Sequence, residues 1–283
     1  MKIEKVTFIS PELPYWNLVT HAVFPEYGVP LIATITRDAG YDVKCYVEHI
    51  GPIDWDDVMK SDVVCFHAFS STMPKTIDYI KKIKDVRPEM PIIIGGTHAS
   101  VMWEDTLEYC DLVVRKEGDE TLPEVLDTWK NDGELAKVLG ISYWDHGKVR
   151  STPDRPFTQE FETIPDLELI QGYMNWPRWK LLRKLKMRWQ LLQTSRGCPY
   201  DCSFCIAPRE LGRAYRLRSI DNIIEDIKYQ QKLVGSKYFF IVDNHFTVNR
   251  QRTRDLLNRI IEEKSIDMVS VLPGWKWRGI RSF

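Results

Sequence analysis

Over the first 130 residues, short apolar runs alternate with stretches of helical spacing. Val6-Thr7-Phe8-Ile9 reads as a buried strand, Val29 to Ala39 as a helix ending before Gly40, and Tyr41 to Val47 as a second strand. Asp62 to Phe66 and Pro91 to Gly96 are near-continuous apolar runs, the pattern of strands covered on both faces. Between them, Met73 to Val86 places Ile77, Ile80 and Ile83 at helical spacing. Asp111 to Val114 is a shorter strand, and Thr121 to Lys130 is again helical. This β–α alternation predicts a doubly wound parallel sheet of the α/β class over residues 1–150. Ile141 to Arg150 reads as a hairpin turning at His146-Gly147.

A Pro-punctuated connector follows, with Pro153, Pro156 and Pro165, and residues 151–188 are read as a linker. Overlapping its end, Trp176 to Leu192 is basic and aromatic, which suits either a membrane-surface helix or a linker helix with a solvated basic face. From residue 189 the pattern resumes. Trp189 to Thr194 is a short strand, and Ser219 can cap a helix carrying Ile220, Ile223, Ile224 and Ile227, closed by Gly235. Tyr238 to Val242 is a buried strand. Asn249 can cap a helix whose core face holds Leu256, Leu257, Ile260 and Ile261, and Met268 to Leu272 starts one more strand. This is how a (β/α) barrel begins, so residues 189–283 are read as a partial barrel.

Composition narrows the setting. The chain has 283 residues, and its 43% hydrophobic and 28% charged content is that of a soluble globular protein of about two domains. A net charge of -1 gives no electrostatic case for a nucleic-acid partner. Six cysteines at irregular spacing do not form a secreted disulfide framework, no leader is visible, and no apolar stretch reaches bilayer length. The expected compartment is a reducing cytoplasm.

The densest chemistry is Ser195-Arg196-Gly197-Cys198-Pro199-Tyr200-Asp201-Cys202-Ser203-Phe204-Cys205, a CxxxCxxC cluster. Three neighbouring thiolates can converge on an iron–sulfur centre that leaves one iron open. The residues alone also admit a zinc site completed by a histidine, or a disulfide with one odd thiol. Cys45, Cys65 and Cys110 are expected to be ordinary buried thiols, and His21, His49 and His67 to be structural. In a doubly wound sheet ligands sit at the carboxyl ends of the strands. Those ends read Ser70-Ser71-Thr72, Gly95-Gly96-Thr97-His98 and Glu117-Gly118-Asp119-Glu120-Thr121. The bland reading is a tight turn at Gly95-Gly96 and a helix cap at His98.

With these residues in view, the chain resembles the cobalamin (B12)-domain radical S-adenosylmethionine (SAM) proteins. The cysteine loop resembles the radical SAM loop. Ile92 to Ala99 and Glu117 to Thr121 resemble signatures of a flavodoxin-like cobalamin-binding domain, and Phe239 to Asn249 resembles the segment after the second barrel strand. The resemblance implies that Cys198, Cys202 and Cys205 hold a [4Fe-4S] cluster and that SAM chelates the open iron. Phe204 would line the adenine site and Asp243 would contact the SAM amino group. It assigns Ser70, Ser71, Gly95, Gly96, His98, Glu117 and Gly118 to the cobalamin side. The implied activity is reductive cleavage of SAM to a 5′-deoxyadenosyl radical, with cobalamin assisting a C-methylation, a cyclisation or a rearrangement. It would act on a small molecule, lipid or natural product and draw on an external low-potential electron donor such as flavodoxin or ferredoxin.

Three departures qualify this. The DxHxxG motif whose histidine ligates cobalt is absent from the amino-terminal domain; Asp243-Asn244-His245 begins it, but Val248 replaces the glycine. Cobalamin is therefore expected to bind without that histidine. Asn244 stands where relatives often carry a second acid. Radical SAM barrels run to about six strands and about three are legible here. The expectation is thus a truncated barrel, and the alternative function is a catalytically incomplete protein that binds a cluster and cobalamin without turnover.

Overall fold

The computed structural model describes residues 2–14, 27–175, 189–263 and 268–271. They divide into two compact units. One gathers the described residues of Met1–Trp16, Gly28–Thr158 and Pro165–Tyr173, the other those of Asn17–Tyr27, Gln159–Ile164 and Met174–Phe283. The expected linker, 151–188, is thus shared between both units. The basic stretch of residues 176–188, His21 and the tail beyond Val271 lie outside the described residues.

The first unit runs β1 (Lys5–Ser10), α1 (Gly28–Asp38), β2 (Asp42–Val47), α2 (Trp55–Val58), β3 (Val63–His67), α3 (Met73–Val86), β4 (Ile92–Gly95), α4 (Thr97–Val101), α5 (Trp103–Leu107), β5 (Leu112–Val114), α6 (Thr121–Lys130), β6 (Ile141–Asp145) and β7 (Lys148–Ser151). The sheet order is β2-β1-β3-β4-β5-β6-β7. Strands β1 to β5 pair in parallel, and the β6–β7 hairpin adds antiparallel to β5. The 2-1-3-4-5 order is the flavodoxin type, with its switch point between β1 and β3. The apolar runs are buried: Val64, Phe66, Ile92 and Ile94 pack with Ile9, Ile80 and Ile83 in one core, while Ile77 is only partly covered. The hairpin turns where expected, with positive φ at His146 and Gly147. Strand β7 is exposed throughout and carries Lys148 and Arg150, charges that discourage edge pairing.

The second unit places β8 (Trp189–Leu192), β11 (Tyr238–Ile241) and β12 (Met268–Val271) in one parallel sheet, β11 in the middle. Between β8 and β11 come β9 (Ser195–Arg196), α7 (Ala207–Glu210), β10 (Arg216–Leu217) and α8 (Ile220–Val234); α9 (Arg250–Glu262) follows β11. Ser219 caps α8 by accepting from the Asn222 amide, and Gly235 ends it in the left-handed conformation. Asn249 caps α9 in the same way. Leu192, Ile223, Ile224, Ile227, Phe239, Ile241, Leu256 and Ile260 form the core, with Ile220 and Leu257 at its margin. Ile261, expected on the core face of α9, is exposed. At about 100° per residue it lies about 140° around the helix from Leu256. Among the described residues no helix is long and apolar enough to cross a membrane.

Candidate functional site

The cysteine loop leaves the carboxyl end of β8 and is gripped at its root by a small antiparallel ladder, β9 with β10, in which Ser195 faces Leu217 and Arg196 faces Arg216. Gly197 opens the loop with φ of +85°, and a side chain there would run into the backbone of Ala214 and Gly212. The Cys198 amide donates to the Gly212 carbonyl at 3.0 Å, holding the first cysteine against the returning arm. Cys198 is buried, Cys202 and Cys205 are exposed, and all three are free thiols. The Cys205 amide donates to the Cys202 carbonyl at 3.0 Å, so the second and third cysteines share one tight turn. The loop brings the three thiols to one strand end but does not draw them together: among the described residues no trio of His, Cys, Asp or Glu side chains forms a metal-binding group. The donor set itself suits a thiolate-ligated cluster. Phe204, between the second and third cysteines, is 91% exposed.

Asp243, just past β11, sits under the loop. Its Oδ1 accepts from the Thr194 amide at 2.6 Å, and its Oδ2 accepts from the Thr194 hydroxyl at 2.5 Å and the Ser195 hydroxyl at 2.7 Å. Burial pushes this carboxyl above the ordinary carboxylate range, against those hydrogen bonds, which favour the charge. Two residues on, the His245 ring lies 5.1 Å from that of Tyr200 in the cysteine loop, and its buried Nδ1 has no hydrogen-bond partner among the described residues.

The returning arm is anchored as firmly. Arg218 Nη1 donates to Tyr27 Oη (2.9 Å), the Gln193 carbonyl (2.9 Å) and Asp226 Oδ2 (3.0 Å), while Nε and Nη2 donate to Asn222 Oδ1. Gln230 Nε2 donates to Asp226 Oδ1 and the Leu191 carbonyl. The Arg218 amide donates to the Thr194 carbonyl. Phe161 packs its ring 4.6 Å from the Arg196 guanidinium and 6.0 Å from that of Arg216. Glu162 accepts from the Ser219 amide and hydroxyl at the head of α8. The motif alone signals none of these supports.

In the first unit, the expected ligand edge resolves strand by strand. Ser70 and Ser71 leave β3, beside the switch point, and Ser70 is exposed. The Ser70 hydroxyl lies 3.0 Å from His98 Nδ1. Burial lowers the His98 pKa, although Asp105 opposes this, so the neutral ring is favoured. Gly96 caps α4 at φ +99°, against His67 and the Ala68 carbonyl; Gly95 has ordinary room around it. His98 therefore lies inside α4, not at its cap. Glu117 is buried and its Oε2 accepts from the Thr158 amide at 2.9 Å, so it anchors the chain after β7, while Gly118 lines the same exit from β5. Cys45, Cys65 and Cys110 are buried as expected.

The B12 binding domain family matches residues 17–126, and the Radical SAM superfamily matches residues 192–276. An uncharacterized methyltransferase of Pyrococcus horikoshii is 30% identical over 275 residues, covering 93% of this chain and 58% of the relative. Hopanoid C-3 methylase of Methylococcus capsulatus is 31% identical over 249 residues, covering 83% and 45%. The structure of a radical S-adenosylmethionine methyltransferase, TsrM, from Kitasatospora setae, solved with cobalamin and a [4Fe-4S] cluster bound, matches with a TM-score of 0.71 at 17% identity. That match covers 93% of this chain and 51% of the other. At this identity the likeness is one of fold. The chain spans about half the length of the curated relatives it matches.

Proposed function

The chain belongs to the proteins that join a B12-binding domain to a radical SAM domain, and from that premise we propose that it takes part in cobalamin-dependent radical SAM chemistry, with C-methylation of an unactivated carbon as the reaction. The observation that carries this reading is the cysteine hairpin at the carboxyl end of β8, with three free thiols within one short loop. Two relatives are named a methyltransferase and a hopanoid methylase, which supports methyl transfer, while three others are named anaerobic magnesium-protoporphyrin IX monomethyl ester cyclases, which makes cyclisation the second reading.

Bound here, a [4Fe-4S] cluster and SAM would supply a carbon-centred radical and cobalamin would supply the methyl carrier. The protein's own part is to hold and shield. Cys198, Cys202 and Cys205 are the proposed cluster ligands. Gly197 sets the loop's first bend, and the β9–β10 ladder fixes its root. Phe204, exposed beside the last cysteine, offers an apolar face for an adenine. The unpartnered Nδ1 of His245 is a polar group available to a ligand at the same strand end.

On the cobalamin side, Ser70, Ser71, Gly95, Gly96, His98 and Gly118 lie at the exits of β3, β4 and β5, the edge where such sheets bind ligands. His98, held by Ser70, orients polar contacts there, and cobalamin binds without a histidine from a DxHxxG motif. Glu117 serves this edge by fixing Thr158. The substrate is a small molecule, lipid or natural product. The electron comes from an external donor of the flavodoxin or ferredoxin class, and the setting is a reducing cytoplasm without a nucleic-acid partner.

Anaerobic reconstitution with iron and sulfide, followed by electron paramagnetic resonance of the reduced protein with and without SAM, tests the reading. A [4Fe-4S]⁺ signal that shifts on adding SAM is expected. A cluster signal that SAM does not move would favour a binding protein without turnover. Zinc without sulfide would overturn the proposal.

A further inference from the structure

The loop that carries Cys198 needs its root fixed, because a five-residue stretch (Gln193 to Gly197) separates the end of β8 from the first thiol. Asp243 supplies that fixation from the neighbouring strand. Both of its oxygens accept from Thr194 and Ser195, across 49 and 48 residues of sequence. The side chain is 9% exposed, and three of the carboxylate's acceptor sites are taken by Thr194 and Ser195. On the far side, the Gly212 carbonyl takes the Cys198 amide. A carboxylate meant for the ammonium of SAM would keep an oxygen turned outward, whereas this one is spent on the loop.

We propose that Asp243 is a positioning residue: it clamps the root of the cysteine loop and so sets where Cys198 stands, acting on the cluster and SAM only through that loop. The role rests on the functional reading above, but the clamp itself exists without any cofactor. Two predictions separate it from direct SAM contact. Removing the two hydroxyl donors and keeping the carboxylate, as in Thr194→Val with Ser195→Ala, should reproduce part of the effect of removing the carboxylate, the Thr194 amide still donating. The effects of donor and acceptor removal should also not add, because both break the same bonds.

The test uses per-cysteine alkylation of the metal-free, reduced full chain with iodoacetamide, read by mass spectrometry. In the wild type, buried Cys198 labels more slowly than exposed Cys202 and Cys205. Asp243→Ala, which deletes three charge-assisted bonds, is expected to raise the Cys198 rate about tenfold or more. Thr194→Val with Ser195→Ala should raise it several-fold, and the triple variant should not exceed Asp243→Ala. Asp243→Asn, which keeps an acceptor for the Thr194 amide, should restore most of the protection. Cys65 and Cys110 in the first unit, and hydrogen exchange in α9, should not change, which excludes general loosening. An unchanged Cys198 rate in both variants, together with weakened SAM binding in reconstituted Asp243→Ala alone, would overturn the proposal in favour of direct contact. The labelling readout needs no cluster. Failure of wild-type reconstitution would therefore sink the functional reading and leave the clamp to be judged on its own.

Discussion

Arg218→Met removes the guanidinium on which the returning arm of the cysteine hairpin depends. Arg218 is 1% exposed and Asp226 is fully buried, and they meet at 3.0 Å. Burial raises the Asp226 pKa, and Arg218 is the main influence opposing it. Without Arg218, among the described residues only Gln230 still donates to that carboxylate, and the Gln193 carbonyl and Tyr27 hydroxyl lose their shared donor. Stripping one partner from a buried pair costs about 3–5 kcal/mol. The sign with pH follows. The folded pKa lies above the unfolded one, so the variant takes up a proton on folding. Asp226 is already raised in the wild type, so the deficit stays level up to the wild-type folded pKa and then grows, by at most about 1.4 kcal/mol per pH unit, until the variant's higher folded pKa is passed. Urea denaturation followed by hydrogen exchange in α8 measures this. Adding Asp226→Leu should recover part of the loss, since an apolar pair removes the stranded charge. A deficit below about 1 kcal/mol, or one equal at about pH 5 and pH 8, would refute the reasoning.

Three further substitutions probe the cofactor edges. Gly96→Ala would place a methyl 2.6 Å from the His67 ring in a left-handed backbone, whereas Gly95→Ala meets nothing closer than 3.8 Å. The first should lower the melting point of the first unit by the equivalent of about 2 kcal/mol and abolish cobalamin retention by absorbance, while the second leaves stability intact. Phe204→Ala, at a side chain 91% exposed, should leave thermal stability unchanged and weaken SAM binding to the reconstituted protein about tenfold, as measured by calorimetry.

The elements with a strong period were readable. The apolar runs at Asp62 to Phe66 and Pro91 to Gly96 became central strands, and Ser219, Gly235 and Asn249 bound their helices as their side chains and backbone freedom require. The thiol positions and the strand end that bears them were equally plain, because ligand spacing and strand order are local facts. What escaped was non-local. Two-residue strands such as Ser195–Arg196 and Arg216–Leu217 carry no period. Asp243 reads from the sequence as a SAM contact, and its bonds to Thr194 and Ser195, 49 and 48 residues away, leave no local signal. Phe161 and Glu162 read as connector, since nothing in a Pro-punctuated stretch announces a ring packed against Arg196 or a carboxylate capping α8. Ile261 shows the opposite error: an apolar residue at an approximate period that the helix turns to solvent.

The bond from Arg218 to Tyr27 spans 191 residues, whereas the one from Arg218 to Asp226 spans eight. Closing the longer loop costs about 3 kcal/mol more in chain entropy. During synthesis the arginine can find its carboxylate as soon as α8 emerges, while the tyrosine, made nearly two hundred residues earlier, must wait through the translation of the whole first sheet. The second unit is therefore assembled from an early segment and later ones, made on either side of most of the first sheet. A gene cut at residue 159 to express it alone would yield a polypeptide that has already lost one of the arginine's partners.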